Sequence, residues 1–504
     1  MDTNALYFGD NLEILRKYIP NDSINLIYLD PPFNSKDTYN ILYKELSGQP
    51  SKAQVMTFED TWEWGLEAEK ALSEIAASMI TPNATKEFIS VLPKFVGTKT
   101  PMRAYLTMMC IRLVELKRVL KDTGSIYLHC DPTASHYLKI LLDSIFSPEN
   151  FRNEIIWKRQ SAHSDSHGYG SVHDVILFYI KSDGFAWNKT YQAYDEGYTD
   201  QYYRYIDENS RRFMSDNLSA AGLQGGGYEY EWKGIKRIWR VPIKTMEKLE
   251  KEGKIFYTKN GIPRIKRYLD ESKGMPVQDL WNDLESLRSW HKERLGYQTQ
   301  KPESLLERII LSSSNEGDIV LDPFCGCGTA LVAAQKLNRQ WIGIDVTHLA
   351  ISTMKWRLDK VFPGIKYKVI GEPIDLESAI ALSKQDKYQF QWWAISLIKH
   401  AQPYGDKKKG ADTGIDGFLY FQDEKDKIKK AIISVKGGHV TVSQVRDLIG
   451  VVKREKAEMG IFITLEPYTK PMEKEAIVEG FYDSPLGIQY QKIQILTIEE
   501  LLNG

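Results

Sequence analysis

Only four cysteines occur in 504 residues. That is too few for a disulfide framework and points to a reducing, cytoplasmic setting. No apolar run approaches the roughly 18 residues that a membrane-spanning helix needs, so no membrane partner is expected. Charge of one sign is missing as well: 66 Lys and Arg stand against 67 Asp and Glu, for a net charge of −1. The chain is therefore no polycation, and any contact with nucleic acid has to come from a local patch. The opening MDTNALYFGD lacks the basic head and apolar core of a signal peptide. Internal repeats and low-complexity tracts are absent too, which excludes solenoids and long disordered linkers.

What is present is a globular composition, 42% hydrophobic and 26% charged, on a chain long enough for two or three cores. Strand and helix patterns alternate. A short helix at Asn11–Tyr18 leads to the apolar strand Ile24–Leu29, and a helix at Tyr105–Leu120 leads to the strand Ser125–His129. Strand signals recur at Glu154–Trp157 and Val175–Ile180, and helix and strand return between Lys301 and Val346. A second alternating stretch follows: Ala431–Val435, Val442–Lys453, Gly460–Thr464. Alternation of this kind is the mark of α/β architecture.

Two segments carry chemistry. The first runs Asp322-Pro323-Phe324-Cys325-Gly326-Cys327-Gly328-Thr329, between a strand and a helix, with a second strand ending at Asp345. Glycines let backbone approach a ligand, and an acid at the next strand end can accept from both hydroxyls of a ribose. A nucleoside cofactor is the expectation; a ligand-free αβ turn is the plainer alternative. Cys325 and Cys327 have no second Cys or His pair nearby to complete a zinc site, and read as small buried turn residues.

The second segment is Asp30-Pro31-Pro32-Phe33, at the end of the strand Ile24–Leu29. An aromatic amine is a poor nucleophile because its lone pair is delocalised into the ring. Two acceptors aimed at its N–H bonds, the Asp30 carboxylate and the Pro31 carbonyl, would localise that pair. The prolines fix this geometry in advance, and Phe33 can stack on the base. On its own the tetrapeptide could be a mere strand-ending turn.

Together these segments resemble the amino-methylating DNA methyltransferases in which the catalytic motif precedes the cofactor motif, the beta arrangement. The matching pieces are Gly9-Asp10-Asn11, Asp30–Phe33, Gly124–Cys130, His173–Tyr179, Thr299-Gln300-Lys301-Pro302, Asp322–Thr329 and Asp345, over about residues 1–365. The resemblance implies a Rossmann-like fold, S-adenosylmethionine as cofactor, and double-stranded DNA as substrate with the target base flipped out of the duplex. It implies catalytic roles for Asp30, Pro31, Pro32 and Phe33. It places Asp10 near the cofactor's adenine, and Thr299, Gln300 and Lys301 near its amino-acid end. Asp322, Phe324, Gly326, Gly328 and Thr329 would form the cradle, and Asp345 would hold the ribose. Methyl transfer itself needs no metal. No Pro-Cys occurs, which argues against C5-cytosine chemistry. Asp rather than Ser at position 30 favours N6 of adenine, with N4 of cytosine as the alternative. Monomer and homodimer both stay open.

From about 185 to 290 the chain turns aromatic, basic and irregular. Residues 231–270 hold twelve Lys or Arg against five acids, with Trp232 and Trp239 interleaved. Lys233, Lys236, Arg237 and Arg240 are the candidate DNA contacts of a target recognition region, against the plainer reading of a solvated surface. The loop Ser161–Tyr169, with His163 and His167, reads as polar contacts rather than a metal site.

In the last part, Gly414-Ile415-Asp416-Gly417 and Ile432-Ile433-Ser434-Val435-Lys436-Gly437 resemble the Mrr-like restriction endonuclease fold of the PD-(D/E)xK group. There an acid and an acid-x-Lys pair hold Mg²⁺. Asp416 and Lys436 match. Ser434 stands where the group has Glu or Gln, and Gln389 and Gln391 stand near where a Glu is common. A DNA-binding, nuclease-like domain is therefore expected, with Mg²⁺ on Asp416 and a fused restriction–modification enzyme only if it cleaves. The run Lys407–Lys409 suits DNA and solvent equally. The expected organisation is a methyltransferase catalytic part at 1–184, target recognition at 185–290, a cofactor-binding part at 291–365, a linker at 366–384 and the Mrr-like domain at 385–504.

Overall fold

The computed structural model describes the whole chain except residues 33–37, 45–49, 60–63, 161–167, 221–225, 289, 292, 296–299, 405–413, 425–426, 486 and 504. Phe33, Thr299, most of the Ser161–Tyr169 loop and the Lys407–Lys409 run thus lie outside the described residues.

The main sheet contains β1 (Ala5–Phe8), β2 (Ile24–Leu29), β3 (Leu120–Cys130), β4 (Phe151–Lys158), β5 (His173–Ile180), β6 (Leu280–Trp281), β7 (Ile319–Asp322), β8 (Gln340–Asp345) and β9 (Lys368–Ile370). Their order across the sheet is β6-β4-β5-β3-β2-β7-β8-β1-β9. Strands β3, β2, β7, β8, β1 and β9 run parallel, and β5 pairs antiparallel with β3 and β4. The central strands are apolar nearly throughout because helices cover both faces, the condition under which parallel sheets form. The covering helices include α1 (Asn11–Tyr18), α2 (Pro101–Val119), α3 (Pro132–Phe146), α4 (Glu303–Ser313), α5 (Thr329–Lys336) and α6 (His348–Val361).

One consequence decides where function sits. Strand β2, from the first part of the chain, pairs directly with β7, from the later part. The carboxyl ends of β1, β2, β7 and β8 therefore meet at one edge, the place where open α/β sheets bind ligands. Each end is punctuated: Gly9-Asp10 after β1, Asp30-Pro31-Pro32 after β2, Pro323 after β7. Two consecutive residues without N–H groups stop the ladder after β2.

Helix α2 begins four residues before the expected Tyr105. Thr100 accepts a hydrogen bond from Arg103 N and Pro101 occupies the first turn, a strong start signal. The helix is buried on most of its circumference, Arg112 and Glu115 included.

Residues 189–278 form a separate compact unit, narrower than the expected 185–290. Expected as irregular, it holds an antiparallel sheet of Tyr205–Ile206, Arg212–Asn217, Ile255–Tyr257 and Pro263–Tyr268, a hairpin Tyr228–Trp232/Ile235–Trp239, and a helix Ile243–Lys251. Its core gathers Leu218, Trp239, Met246 and Ile255.

The stretch 366–384 is not a linker. Lys368–Ile370 is the edge strand β9, and α7 (Leu376–Gln385) is the first helix of the C-terminal layer. Beyond it lie α8 (Lys387–Ser396) and a sheet ordered β10 (Gln402–Pro403), β11 (Gly417–Glu424), β12 (Lys427–Lys436), β13 (Met459–Thr464), β14 (Ile493–Thr497), with α9 (Val442–Arg454). Ile432 packs into the cluster with Val445 and Leu448, while Ile433 packs into the one with Phe390 and Trp393. Strand β12 is thus sandwiched, which explains its unbroken apolar run.

Candidate active site

A cavity of about 380 Å³ opens at the carboxyl edge of the sheet, within the range that holds small-molecule cofactors. Asp30, Pro31 and Pro32 line it from one side; Gly326, Thr329 and Asp345 line it from the other. The two segments that carry the chemistry therefore share one hollow.

Its glycine turn is built by its neighbours. Gly328 has φ +76°, and a Cβ there would stand 2.8 Å from Met354 Cγ, so only glycine fits. Phe324 N donates to Asp322 Oδ1 at 3.1 Å, Gly326 N to Asp345 Oδ2 at 3.0 Å, and Gly328 N to the Cys325 carbonyl at 2.7 Å. Cys325 N is likewise bonded to the Ile344 carbonyl. A phosphate-binding turn leaves such groups pointing at the ligand. Here four are already engaged, which suits a nucleoside without phosphates.

Asp345 Oδ1 accepts from both the backbone N and the hydroxyl of Thr347, each at 2.9 Å. With Oδ2 on Gly326 N, about one of the four lone-pair positions stays open to a ribose. Burial lifts this carboxyl to about 6. Burial also pushes Asp322 well above its usual value, and the nearby charges of Asp30 and Asp345 add to the effect.

Two cations, Arg112 and Lys301, line the cavity together with Asp10, Asp30, Asp322 and Asp345. Arg112 of α2 donates from Nη2 to Asp10 Oδ2 at 2.5 Å, from Nε to Asn11 Oδ1 at 2.7 Å and from Nη1 to the Met108 carbonyl at 3.1 Å. Asn11 Nδ2 in turn donates to the Pro323 carbonyl at 2.8 Å, tying the β1 turn to the β7 turn. Lys301 Nζ donates to Asp30 Oδ2 at 2.5 Å, so the residue expected beside the cofactor sits on the acid expected to be catalytic.

Gln300, Phe324 and Thr329, also expected at the cofactor, all line the cavity and are held by protein contacts as well. Gln300 borders the cavity, but its Oε1 accepts from Leu295 N and its Nε2 donates to the Glu293 carbonyl. It is a loop staple. Thr329 Oγ1 is held by Arg357 Nη1 at 3.1 Å, and Arg357 also donates to the Cys327 carbonyl at 2.9 Å and to Glu303 Oε1 at 3.0 Å. Phe324 packs against the main core. The cysteines at 325 and 327 are buried and unpaired.

Sequence reasoning missed Arg112 and Arg357, and it missed a buried row beneath the site. Tyr28 Oη lies 3.0 Å from His129 Nδ1, whose Nε2 lies 3.1 Å from Asp174 Oδ2. Burial would raise Asp174, but its hydrogen bond to His129 and the charges around it hold the carboxyl below its usual value. The only signal was that His129 and Asp174 fall in the motif stretches Gly124–Cys130 and His173–Tyr179.

Part of the basic patch is compensated within its own unit. Lys233 pairs with Glu250, Lys236 lies 3.5 Å from Glu229, and Arg240 Nε donates to the Ser219 carbonyl. Arg237 is exposed. Trp239 is fully buried and Trp232 donates to Tyr257 Oη, so these tryptophans serve the unit's interior.

In the C-terminal domain Asp416, Ser434 and Lys436 do come together. Asp416 Oδ1 accepts from Gln391 Nε2 at 2.8 Å, and Oδ2 accepts from Val435 N at 2.6 Å and Ser434 Oγ at 3.2 Å, with Lys436 Nζ 3.9 Å away. A magnesium ion wants several oxygen ligands around open positions. The Asp416 carboxylate is already filled by donors, and among the described residues no cluster could hold a metal. These described residues do not fit Mg²⁺.

A family model described as DNA methylase matches residues 24–355, and one described as NACHT-associated inactive restriction endonuclease 1 matches residues 400–503. The C-terminal part is thus a restriction-endonuclease-type domain. The type II methyltransferase M.EcaI of Enterobacter cloacae is 34% identical over 262 residues, covering 50% of this chain and 57% of that protein. The Mod subunit of the type III restriction-modification enzyme StyLTI of Salmonella typhimurium is 29% identical over 360 residues, covering 67% of this chain and 50% of that one. The chain spans little more than half the length of these relatives. A crystal structure described as a DNA modification methylase of Thermus thermophilus with S-adenosyl-L-methionine aligns at 15% identity and a TM-score of 0.36, covering 73% of this chain and 98% of that one.

Proposed function

Because the chain belongs to the DNA methylase family, we propose that it moves a methyl group from S-adenosylmethionine to an exocyclic base amine in double-stranded DNA, with N6 of adenine as the acceptor. One observation carries this reading: Asp30 and the Gly326 turn line a single cavity at the sheet edge.

The cavity suits the cofactor. Its lining carries four carboxyl groups, Asp10, Asp30, Asp322 and Asp345, of which Asp10 is paired with Arg112 and Asp30 with Lys301. Its turn spends its N–H groups internally, as a phosphate-free nucleoside allows. When bound, the cofactor supplies a methyl on a cationic sulfur, already a good leaving group.

The chain's own part is to hold the amine. Asp30 and the Pro31 carbonyl accept its two N–H bonds and direct the nitrogen lone pair away from the ring. Pro31 and Pro32 keep both acceptors in place, so little reorganisation remains at the moment of transfer. Asp30 is then placed to take the proton that the nitrogen sheds after methylation. Asp345 holds the ribose through its remaining acceptor position. The 189–278 unit reads the duplex, with exposed Arg237 as its first candidate contact, and the target base is flipped to reach the cavity.

Incubating the chain with S-adenosylmethionine and unmethylated genomic DNA, then digesting to nucleosides for mass spectrometry, tests the proposal. N6-methyladenine is expected. N4-methylcytosine would move the acceptor to cytosine, and no methylated base in any DNA would sink the assignment.

A further inference from the structure

The carboxyl ends of β1 and β8 meet at one buried residue, His348. Asp345, Val346 and Thr347 line the cavity, and Thr347 caps α6, its Oγ1 accepting from Ala350 N at 3.1 Å. His348 follows directly. Its ring is fully buried and stacks on Phe8, with centroids 3.6 Å apart and planes at 21°. Phe8 precedes Gly9 and Asp10, which line the cavity from β1, and Gly9 N donates to the Asp345 carbonyl at 2.9 Å. One residue thus steadies both turns.

The first N–H groups of a helix have no partner within it. His348 N finds one in another part of the chain, donating to Gln389 Oε1 at 3.1 Å. Gln389 belongs to α8, whose Phe390, Trp393 and Ile395 pack into the cluster with Ile433 and Ile461 of the C-terminal sheet. Its position is therefore set by the core of the restriction-endonuclease-type domain. Two residues on, Gln391 Nε2 donates to Asp416 Oδ1 at 2.8 Å. Of the two glutamines that stand near where nucleases commonly carry a Glu, one fills Asp416 and the other reaches the start of α6.

We propose that Gln389 is a positioning residue of the methyl-donor site, through which the restriction-endonuclease-type domain sets the affinity for the cofactor. This rests on the methyltransferase reading above. By fixing His348 N, Gln389 fixes where α6 begins, and with it the Asp345–Thr347 turn and the ring on which Phe8 stacks. Such coupling is reciprocal. Cofactor binding firms α8 to the extent that α8 firms the site.

Titration calorimetry of the full chain with S-adenosylhomocysteine tests this. Gln389→Met keeps the side chain's length but removes the acceptor, and should weaken binding roughly three- to tenfold. Gln389→Glu keeps an acceptor and should bind within about twofold of the unaltered chain. Gln391→Met is the control on the same helix. It removes the bond to Asp416, so thermal stability should fall while affinity stays within about twofold. Hydrogen exchange reads the coupling from the other side. S-adenosylhomocysteine should slow amide exchange across α8 more than across α9, which packs on the opposite face of the C-terminal sheet. In Gln389→Met that slowing should be lost.

Unchanged affinity in Gln389→Met overturns the assignment. So does an equal loss in Gln391→Met, or a Gln389→Glu variant that binds as weakly as Gln389→Met. Should Gln389→Met fail to fold, exchange in the unaltered chain decides, and an α8 that does not slow overturns the assignment too. If the unaltered chain binds no S-adenosylhomocysteine, the methyltransferase reading falls and this inference with it. If it binds and Gln389→Met binds equally well, the role of Gln389 alone falls.

Discussion

Asp345 Oδ2 accepts a hydrogen bond from Gly326 N at 3.0 Å, so the acid that closes β8 also holds the turn that follows β7. A carboxylate in this position both shapes the turn and lines the cavity. Burial lifts it to about 6. A carboxyl raised in the folded chain favours folding most when protonated: its contribution is full below the unfolded value near ~3.9 and is lost as pH rises through about 6. At neutral pH the fold tolerates a costly charge, as binding sites often do.

The first prediction follows from that charge. Affinity for S-adenosylhomocysteine should weaken as pH falls from 7.5 towards 5.5, because the protonated acid loses an acceptor for the ribose. Titration calorimetry across that range checks it. In Asp345→Asn the affinity should be lower at pH 7.5 and flat with pH. A variant that keeps the same acidic limb would remove Asp345 from ribose binding.

The second concerns Arg357, which is buried and links Glu303, Thr329 and the Cys327 carbonyl. Burial would push Glu303 up, and Lys336 and Arg357 together hold it below its usual value. Arg357→Met leaves that carboxylate short of a partner and should cost about 3 kcal/mol. The denaturant midpoint should fall, and cofactor affinity should fall with it as the turn loosens. Arg357→Met/Glu303→Gln should regain part of the stability. A double variant no more stable than Arg357→Met would show that the pair is not what the fold loses.

Much of this site could be read from sequence because parallel strands buried on both faces leave apolar runs, and their ends are punctuated. Ile24–Leu29 before Asp30-Pro31-Pro32, and Ile319–Leu321 before Asp322-Pro323, are such cases. The supporting arginines were hidden for a plain reason. Arg112 sits in Cys110-Ile111-Arg112-Leu113-Val114, and one cation in a helical run looks the same whether it faces water or a carboxylate across the fold. For Gln300 the hidden part is local: it borders the cavity beside Lys301, and its amide bonds to the 293–295 loop gave no sign in the sequence. The recognition unit looked irregular because its strands are two to six residues long, too short for a period-two pattern to stand out among aromatic and basic residues. Counting charges over 231–270 also overstated the patch, since Asp216, Glu229 and Glu271, which neutralise Arg267, Lys236 and Lys254, lie outside that window.

The third prediction is that the C-terminal domain does not cut DNA. Asp416 is occupied by Gln391, Val435 and Ser434, and no second acid stands at 434. Unmethylated plasmid incubated with the full chain and Mg²⁺ should stay supercoiled. Asp416→Ala should lower thermal stability, since it leaves a buried backbone N–H and two side chains without their acceptor, about 1–3 kcal/mol. Mg²⁺-dependent nicking that disappears in Asp416→Ala would reverse this conclusion.

The last prediction separates the members of the buried row. Asp174 and His129 are almost fully enclosed, with 2% and 0% side-chain exposure. Taking away the histidine strands a carboxylate that the surroundings keep ionised, with Arg159 at 3.2 Å as its remaining neighbour. Taking away the carboxylate leaves a ring that still bonds Tyr28. His129→Leu should therefore cost about 3 kcal/mol or more, and Asp174→Leu nearer ~1–2 kcal/mol. The pair of substitutions together should cost less than their sum, because neither then leaves a charge behind. The depressed Asp174 also sets a pH signature. Its contribution is present above the ordinary carboxylate range and is lost as pH falls through its lowered value, so acid sensitivity should shrink in Asp174→Leu. Urea midpoints at pH 7 and at a pH well below the ordinary carboxylate range read both effects, and equal costs for the two single variants would mean that the row is held by packing rather than by its charge.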